Sequence, residues 1–534
     1  MKKRIISLCI AVALAISMLA GCANKNDKKS AASSEQANAE KPVDWYLNLS
    51  WFSSKWGDDW VTQKIIKDTG FKVNVIVPPA GGENQKLTTM IASGTLPDLI
   101  TLGWYDTNLN QMISAKMLTP LNKLADKYAP DFYKNADKDV LIWNTKDDGN
   151  VYGYNCYTTN PEAVKNDPNV FSNYDMWVRK DIYEAIGKPD MATTEGFLKA
   201  LRDAKAKYPT VENGTLIPLG VKPFGADGDE NGSLSLCREL MDFLAIPYQT
   251  SDGKIYDRYT DPEYLRWLKM FRQATQEKLI PPDDFADNGD KVCTNLQNGR
   301  YFCMIDQWTD YTGQIQTWYA SNPDKAYIAI PGPKNISGAE PTLSAGSPNG
   351  WLTTVISATG KHQENAIKFM TYMLSPEATE LQIAGIEGKT FTKQGDKYII
   401  TQEYKDMLAK NDVSSGVGQW AYFCTNPQSV DYIDNILPST KLIRDWNKPY
   451  SFYNGAFEFV PFEANTPEAK NQVSLYSLWD KTLPSLLHAK SDADFDKIMS
   501  DYVAKRKTLG YDTVNAALQK QLDSNNAKIA KFAK

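Results

Sequence analysis

The sequence predicts an α/β fold, and three observations carry that reading. Strand-like and helix-like periods alternate through five elements between Trp45 and Leu102. The same alternation returns after Met176 and again after Ile328. A chain of 534 residues also exceeds what one compact core accommodates, so two or more lobes are expected.

Each element follows from local chemistry. Trp45, Leu47, Leu49 and Trp51 place apolar residues at every second position, the period of a strand, which is read as closing at Trp51. Asp58 and Asp59 precede Trp60, Val61, Ile65 and Ile66, predicting a helix with acids at its start and Gly70 beyond its end. Phe71, Val73, Val75 and Val77 alternate again. Leu87, Met90 and Ile91 recur at helical spacing, with Gly94 placed to cap them. Asp98 to Leu102 forms the third strand. Strand, helix, strand, helix, strand implies a mostly parallel sheet with helices on its faces. Further on, Met176 to Arg179 reads as a strand, followed by a helix from Asp181 to near Gly187. Thr193 or Thr194 caps a helix whose apolar face is Phe197, Leu198 and Leu201. From Ile328 to Gly338 a strand runs into a proline- and glycine-rich connection. Ile367 to Leu374 is helical up to Ser375-Pro376, and Val503 to Leu522 is read as one amphipathic helix.

The start of the chain differs from all of this. Lys2-Lys3-Arg4, the apolar stretch Ile5 to Leu19, and Leu19-Ala20-Gly21-Cys22 have the layout of a secretory signal. Its apolar segment is shorter than the roughly 20 residues of a membrane-spanning helix. Small residues before a cysteine resemble the bacterial lipobox, which implies removal of residues 1–21 and a lipid on Cys22. Residues 22–42 contain few groups able to form a core and are expected to act as a disordered tether.

Composition excludes several classes. Net charge is −5 and no basic run follows the signal, which argues against nucleic acid as a partner. Apart from Cys9 in the signal and Cys22, the cysteines are Cys156, Cys237, Cys293, Cys303 and Cys424. No disulfide framework is indicated, and a Cys293–Cys303 bridge is left open. There are two histidines, and HExxH, GxSxG and CxxC are all absent, removing common zinc, serine and redox chemistries.

Three stretches carry a resemblance. Ala92-Ser93-Gly94-Thr95-Leu96-Pro97-Asp98-Leu99-Ile100 is similar to the "SG-x-x-PDI" turn of extracellular solute-binding proteins. Ala366 to Glu377 resembles their late helix ended by Ser-Pro-Glu, and Gly385-Ile386-Glu387-Gly388-Lys389 resembles the "GIEG" turn of a large Gram-positive lipoprotein branch. The resemblance runs from about Trp45 to Leu522. It implies a sugar-binding subunit of an ABC importer, near binders of alginate oligosaccharides and glycosaminoglycan fragments. The implied fold is two-lobed and periplasmic-binding-protein-like, of type II, with ligand clamped between α/β lobes. The first lobe is expected at 43–164 and 332–400, and a second, more helical lobe at 165–331 and 401–534. The implied partners are a carbohydrate and the permease subunits. Such a protein would be a monomer on the outer face of the cell membrane, touching it through lipid alone.

Binding a sugar needs aromatic faces for the C–H side of a pyranose ring and planar polar groups for its hydroxyls. With 14 Trp, 28 Tyr and 19 Phe, position must separate binding aromatics from core aromatics. Ligands of open α/β sheets sit beyond the carboxyl ends of the strands, which selects Trp51 and Trp104. Trp177 beside Arg179, Trp308 beside Gln307, Trp351 near Asn349, and Trp420 beside Gln419 complete the candidate set. Trp267, at helical spacing with Phe271, is assigned to a core. The Arg179 guanidinium suits a uronate or sulfate, but a surface ion pair with a neighbouring acid is preferred, so the charge of the ligand stays open.

No cofactor is expected. Asp227, Asp229, Asn231 and Gly232 match the first positions of a calcium loop, but the twelfth position is Arg238 where a bidentate Glu is needed. A polar loop without metal is preferred. The alginate-binder branch carries its calcium loop before an "EIPL"-like strand. The corresponding stretch here, Tyr208 to Leu219, has lost most of those carboxylates. The rival classes are a surface-anchored glycoside hydrolase, with Asp283, Asp284 or Asp306 as carboxylates, and a peptide-binding lipoprotein. The preferred reading has no catalysis.

Overall fold

The computed structural model describes residues 42–224, 233–286, 289–395, 397–410, 412–425, 432–433 and 438–532. The signal, Cys22, the tether up to residue 41, and the calcium-like residues from Asp227 to Gly232 lie outside them.

Two sheets organise the molecule. The first contains β1 (Val43–Leu47), β2 (Val73–Ile76), β3 (Leu99–Gly103), β4 (Gly153–Asn155) and a late strand introduced below. The second contains β5 (Tyr174–Arg179), β6 (Ile217–Val221), β7 (Tyr301–Gln307) and β8 (Tyr327–Ala329) in the order β8-β5-β7-β6. The late strand β9 (Leu352–Ile356) returns to the first sheet, giving β2-β1-β3-β9-β4. In the first sheet β9 alone runs antiparallel to its neighbours. In the second only β5 runs against the other three. Each sheet is therefore mostly of one direction, with the opposed strand being the one by which the chain enters that lobe.

Alternation along the strands builds a core on both faces. In β1, Val43, Trp45 and Leu47 pack on one side and Tyr46 on the other. Helix α1 (Trp60–Thr69) begins where Asp59 accepts from the Thr62 N–H and ends at Gly70 in the left-handed region. Helix α2 (Glu83–Ser93) ends at Gly94 in the same way. Both caps fall where the sequence predicts them. In the second lobe, α3 (Thr194–Lys207) is capped by Thr193, and α4 (Pro262–Gln276) buries Trp267 and Phe271 with Phe197. Helix α5 (Gln363–Met373) covers the first sheet through Phe369 and Met370.

Several boundaries differ from expectation. The first strand ends at Leu47, so Trp51 stands in the loop beyond it. Residues 401–410 and 412–424, expected in the second lobe, belong to the first. Tyr404 and Met407 pack with Ile400, and Trp420, Tyr422 and Phe423 enter the core around Trp45. Conversely, the stretch from Gly332 to Leu343 stays with the second lobe. Asn335 donates to the Leu244 carbonyl, the Thr342 N–H donates to Asp242, and Leu343 joins the core of Phe243. Local periodicity cannot report which distant surface a segment meets.

The C-terminal part comprises α6 (Pro467–Leu487), α7 (Asp492–Thr508) and α8 (Tyr511–Ile529). The single helix expected from Val503 to Leu522 is broken at Gly510, whose φ of 85° leaves the helical region. Helix α8 then joins the lobes. Gln519 reaches Gly253 and Ile255 of the second lobe, whereas the Lys528 ammonium donates to the Trp143 and Thr145 carbonyls of the first. Among the described residues no helix is long and apolar enough to cross a membrane. Cys293 and Cys303 are free thiols packed in separate clusters of the second lobe, so the bridge left open by the sequence is not made.

Candidate functional site

Both described crossings join the carboxyl edges of the two sheets. Residues 156–173 lead from the carboxyl end of β4 to the amino end of β5, which lies at the carboxyl edge of β6, β7 and β8. The return leads from the carboxyl end of β8 to the amino end of β9, at the carboxyl edge of β1, β3 and β4. The two carboxyl edges thus adjoin the hinge, which is where open α/β sheets bind ligands.

The hinge is tied down by polar contacts. Lys448 donates to the carbonyls of Val164, Asp167 and Val170 in the first crossing. Asn447 donates to Asp175 at 2.8 Å, fixing the start of β5. Asn349 accepts from the Trp143 indole at 2.7 Å, and its carbonyl accepts from Asn155.

On the first-lobe edge three predicted tryptophans come together. Trp51 is 62% exposed and stacks on Trp351, with ring centroids 6.2 Å apart and planes at 11°. Trp104 donates its indole N–H to the Gly350 carbonyl at 3.2 Å. Gly350 makes that turn because a Cβ there would lie 1.9 Å from the Cys156 carbonyl oxygen, and its φ of 60° suits glycine. The Trp351 N–H then donates to the same carbonyl, which carries the indole to the edge. Tyr157 and Tyr422 support Trp351 from its other sides, at 5.8 and 6.1 Å. Sequence reasoning missed both tyrosines. The φ of 56° at Tyr157, uncommon for a non-glycine residue, is a property of the turn and has no local signature.

On the second-lobe edge stand Gln307 and Trp308, at the carboxyl end of β7. Trp308 stacks on Phe171 of the crossing at 6.3 Å and 19°. Its indole N–H is buried without a hydrogen-bond partner among the described residues.

Three candidates fall elsewhere. Trp177, in mid-strand, is fully buried with Tyr311 and Trp318. Trp420 is fully buried in the first lobe, its ring against Trp45, Phe52 and Trp56, and its indole N–H donates to Asp59 at 2.8 Å. Arg179 ends β5, and because β5 is the opposed strand, that end lies at the edge away from the hinge. Its guanidinium is buried over Trp318 and donates to both Asp181 oxygens, to Glu212 and to the Gly299 carbonyl. These residues hold the fold and do not line the edge.

The second-lobe edge is rich in buried acid. Asp306 accepts from the Tyr311 hydroxyl at 2.9 Å and from the Gln307 N–H at 2.8 Å. Burial pushes its carboxyl up to about 7, with Asp310 raising it further and Lys222 opposing. Glu239 is fully buried, neither carboxyl oxygen has a hydrogen-bond partner among the described residues, and burial and Asp306 both hold it well above its ordinary range. Lys222 pairs with Asp310 at 3.0 Å.

This carboxyl has a consequence for stability. A folded-state value near 7, against 3.8 for the free group, means that the native protein binds this proton more tightly than the unfolded chain. The Asp306 contribution is therefore most favourable below the free value and is lost as pH rises through about 7. Thermal melts across that window should show wild-type stability falling relative to Asp306→Asn as pH rises. Glu239, Asp310, Lys222 and Tyr311, which face Asp306, are common to both proteins. A difference that is flat or opposite in sign would show that Asp306 ionises at no cost.

Among the described residues no group of three or more His, Cys, Asp or Glu side chains is arranged to hold a metal ion. Within Tyr208 to Leu219, Thr210–Val211 and Gly214–Thr215 form a short hairpin leading into β6.

Comparison with known proteins agrees with this architecture. Lipoprotein LipO of Bacillus subtilis is 24% identical over 460 residues, covering 83% of this chain and 84% of that protein. The multiple sugar-binding protein of Streptococcus mutans is 23% identical over 362 residues, covering 65% of this chain and 76% of that one. The fold matches a solute-binding protein from Bifidobacterium longum infantis, described as HMO binding and ABC-transporter associated, with a TM-score of 0.66 at 16% identity. That match covers 91% of this chain and 99% of the other. The substrate-binding protein FusA of S. pneumoniae, solved with kestose, superposes equally well, with a TM-score of 0.66 at 17% identity over 91% of this chain and 100% of that one. Residues 54–380 match the family model described as bacterial extracellular solute-binding protein, and the chain belongs to that family.

Proposed function

We propose that this protein captures a carbohydrate, in the form of an oligosaccharide, between its two lobes and delivers it to the permease of an ABC importer. The aromatic wall of Trp51, Trp351 and Trp104 carries the reading. Stacked, accessible indoles at a carboxyl edge offer broad apolar faces to pyranose rings, while Gln307 stands at the facing edge for hydroxyls. The sugar-binding relative and the kestose-bound neighbour support it. No catalytic step is assigned. Asp306 is buried beneath Tyr311, and Asp283 stands exposed on a separate turn.

Calorimetry with oligosaccharide and peptide panels tests this function, with product analysis alongside. Saturable binding of saccharides without cleavage is expected. Binding of peptides alone, or turnover of the sugar, would overturn it.

The anchor is proposed at Cys22, on the motif Leu19-Ala20-Gly21-Cys22. It would hold a monomeric protein on the outer face of the membrane. Metabolic labelling with a fatty acid should mark the wild-type chain and not Cys22→Ala. Equal labelling of both would remove the lipoprotein assignment.

A further inference from the structure

We propose that the C-terminal helix α8 fixes the aromatic wall. Through Trp143 and Asn349 its end holds the turn that carries Trp351, which makes Trp143 and Phe532 positioning residues for the site. This inference rests on the reading of that wall as the binding surface and concerns what keeps the wall in place.

The first observation is how the turn is anchored. Asn349 is buried and directly precedes Gly350 and Trp351. Its side-chain oxygen accepts from the Trp143 indole at 2.7 Å, its carbonyl accepts from Asn155 at 3.0 Å, and its N–H donates to the Ser347 hydroxyl at 3.2 Å. Gly350 packs against the Cys156 carbonyl and accepts from the Trp104 indole, and the Trp351 N–H donates to Cys156 at 3.0 Å. A displacement of Asn349 is therefore passed to Trp104 and Trp351, and to Trp51 stacked on Trp351. Loss of the Trp143 donor would leave a buried amide oxygen unpaired, a cost the turn relieves only by moving.

The second observation is that α8 reaches Asn349 by two routes. Trp143 lies at the end of the helix Lys138–Asn144, where the last carbonyls have no partner within the helix. Lys528 of α8 supplies one, donating to the Trp143 and Thr145 carbonyls at 2.7 and 3.1 Å. Phe532, just past the end of α8, meets the Trp143 ring edge-on with centroids 6.4 Å apart, and both residues are buried. The other route runs through Glu458. Its carbonyl accepts from Asn525 of α8 at 3.4 Å, and its carboxylate accepts from the Ser347 hydroxyl that holds the Asn349 N–H. Gln519 bonds the same helix to Gly253 and Ile255 of the second lobe. Helix α8 thus registers the first-lobe wall against the lobe that faces it.

The test is fluorine NMR on the full mature chain carrying 5-fluorotryptophan, without saccharide. Trp51→Phe and Trp351→Phe assign the wall resonances, and Trp267→Phe assigns a tryptophan of the second-lobe core. Phe532→Ala should shift or broaden the Trp51 and Trp351 resonances and leave Trp267 unmoved. Trp143→Phe, which keeps a ring against Phe532 but removes the indole donor, should do the same. Phe532→Leu, which restores apolar packing, should return the wall resonances toward wild type. Wall resonances unchanged in either Phe532→Ala or Trp143→Phe would overturn the coupling. So would movement of Trp267 along with them, the mark of a general loosening. On the oligosaccharide bound most tightly in the calorimetric panel, Phe532→Ala should weaken binding by about 2- to 30-fold. Moved wall resonances with unchanged affinity would leave the coupling standing and overturn the wall as the ligand's surface. Failure of every saccharide to bind would overturn the carbohydrate reading without touching the resonance result.

Discussion

Trp420→Ala is expected to destabilise the protein by about 3–5 kcal/mol, the cost of truncating a large aromatic in a packed core. Its ring centroid lies 6.2 Å from that of Trp45, 5.2 Å from Phe52 and 5.1 Å from Trp56, so one substitution removes contacts to β1 and to the loop that follows it. The indole N–H also satisfies Asp59, which at the same time caps α1 and is itself buried. Without that donor a buried carboxylate oxygen loses a partner, which adds to the cavity cost. Chemical denaturation with a ligand-free protein should show a midpoint far below wild type. Trp420→Phe should recover the packing and not the hydrogen bond, and so fall between the two. A Trp420→Ala protein as stable as wild type would mean that the late segment 412–424 is not part of the first lobe's cooperative core.

Trp51→Ala has the opposite signature. With 62% of its surface exposed and one face on Trp351, its loss leaves little cavity. The melting temperature without ligand should therefore move only slightly. Affinity for the saccharide should fall by about 1–3 kcal/mol, or roughly 5- to 150-fold in Kd, as for other well-covered aromatic contacts in a binding site. Trp351 is less clean as a probe, since it packs on Tyr157 and Tyr422 and its removal disturbs both binding and core. Calorimetry and melts on Trp51→Ala and Trp420→Ala together separate the two roles. Unchanged affinity in Trp51→Ala, with saccharide still bound, would place the ligand away from this wall.

The contrast between these two tryptophans shows how far the sequence can be read. Asp59, Gly70, Gly94 and Thr193 end or begin helices through bonds to residues three or four positions away, and local pattern locates each of them to within one residue. Trp51 and Trp104 follow strands whose direction is set by strand–helix–strand order, so their edge was legible as well. Gln419 beside Trp420 suggested a polar surface. The partner that buries it is Trp45, far away in the chain, and no local signal connects them.

Strand direction decided the remaining cases. A fully buried strand such as β5 has the same apolar pattern whichever way it runs, so its sequence does not say which end faces the hinge. The chain enters the second lobe from the hinge and must run β5 away from it, against β7 and β8. That reversal carries Arg179 to the opposite edge, where Asp181, Glu212 and the Gly299 carbonyl neutralise it. The same rule, applied to β9, brings Trp351 to the hinge side, where it meets Trp51. The residue types in the chain determined that the protein has aromatic platforms and a guanidinium fork. Only the path of the chain between lobes determined that the platforms lie at the hinge-side edge and the fork at the opposite one.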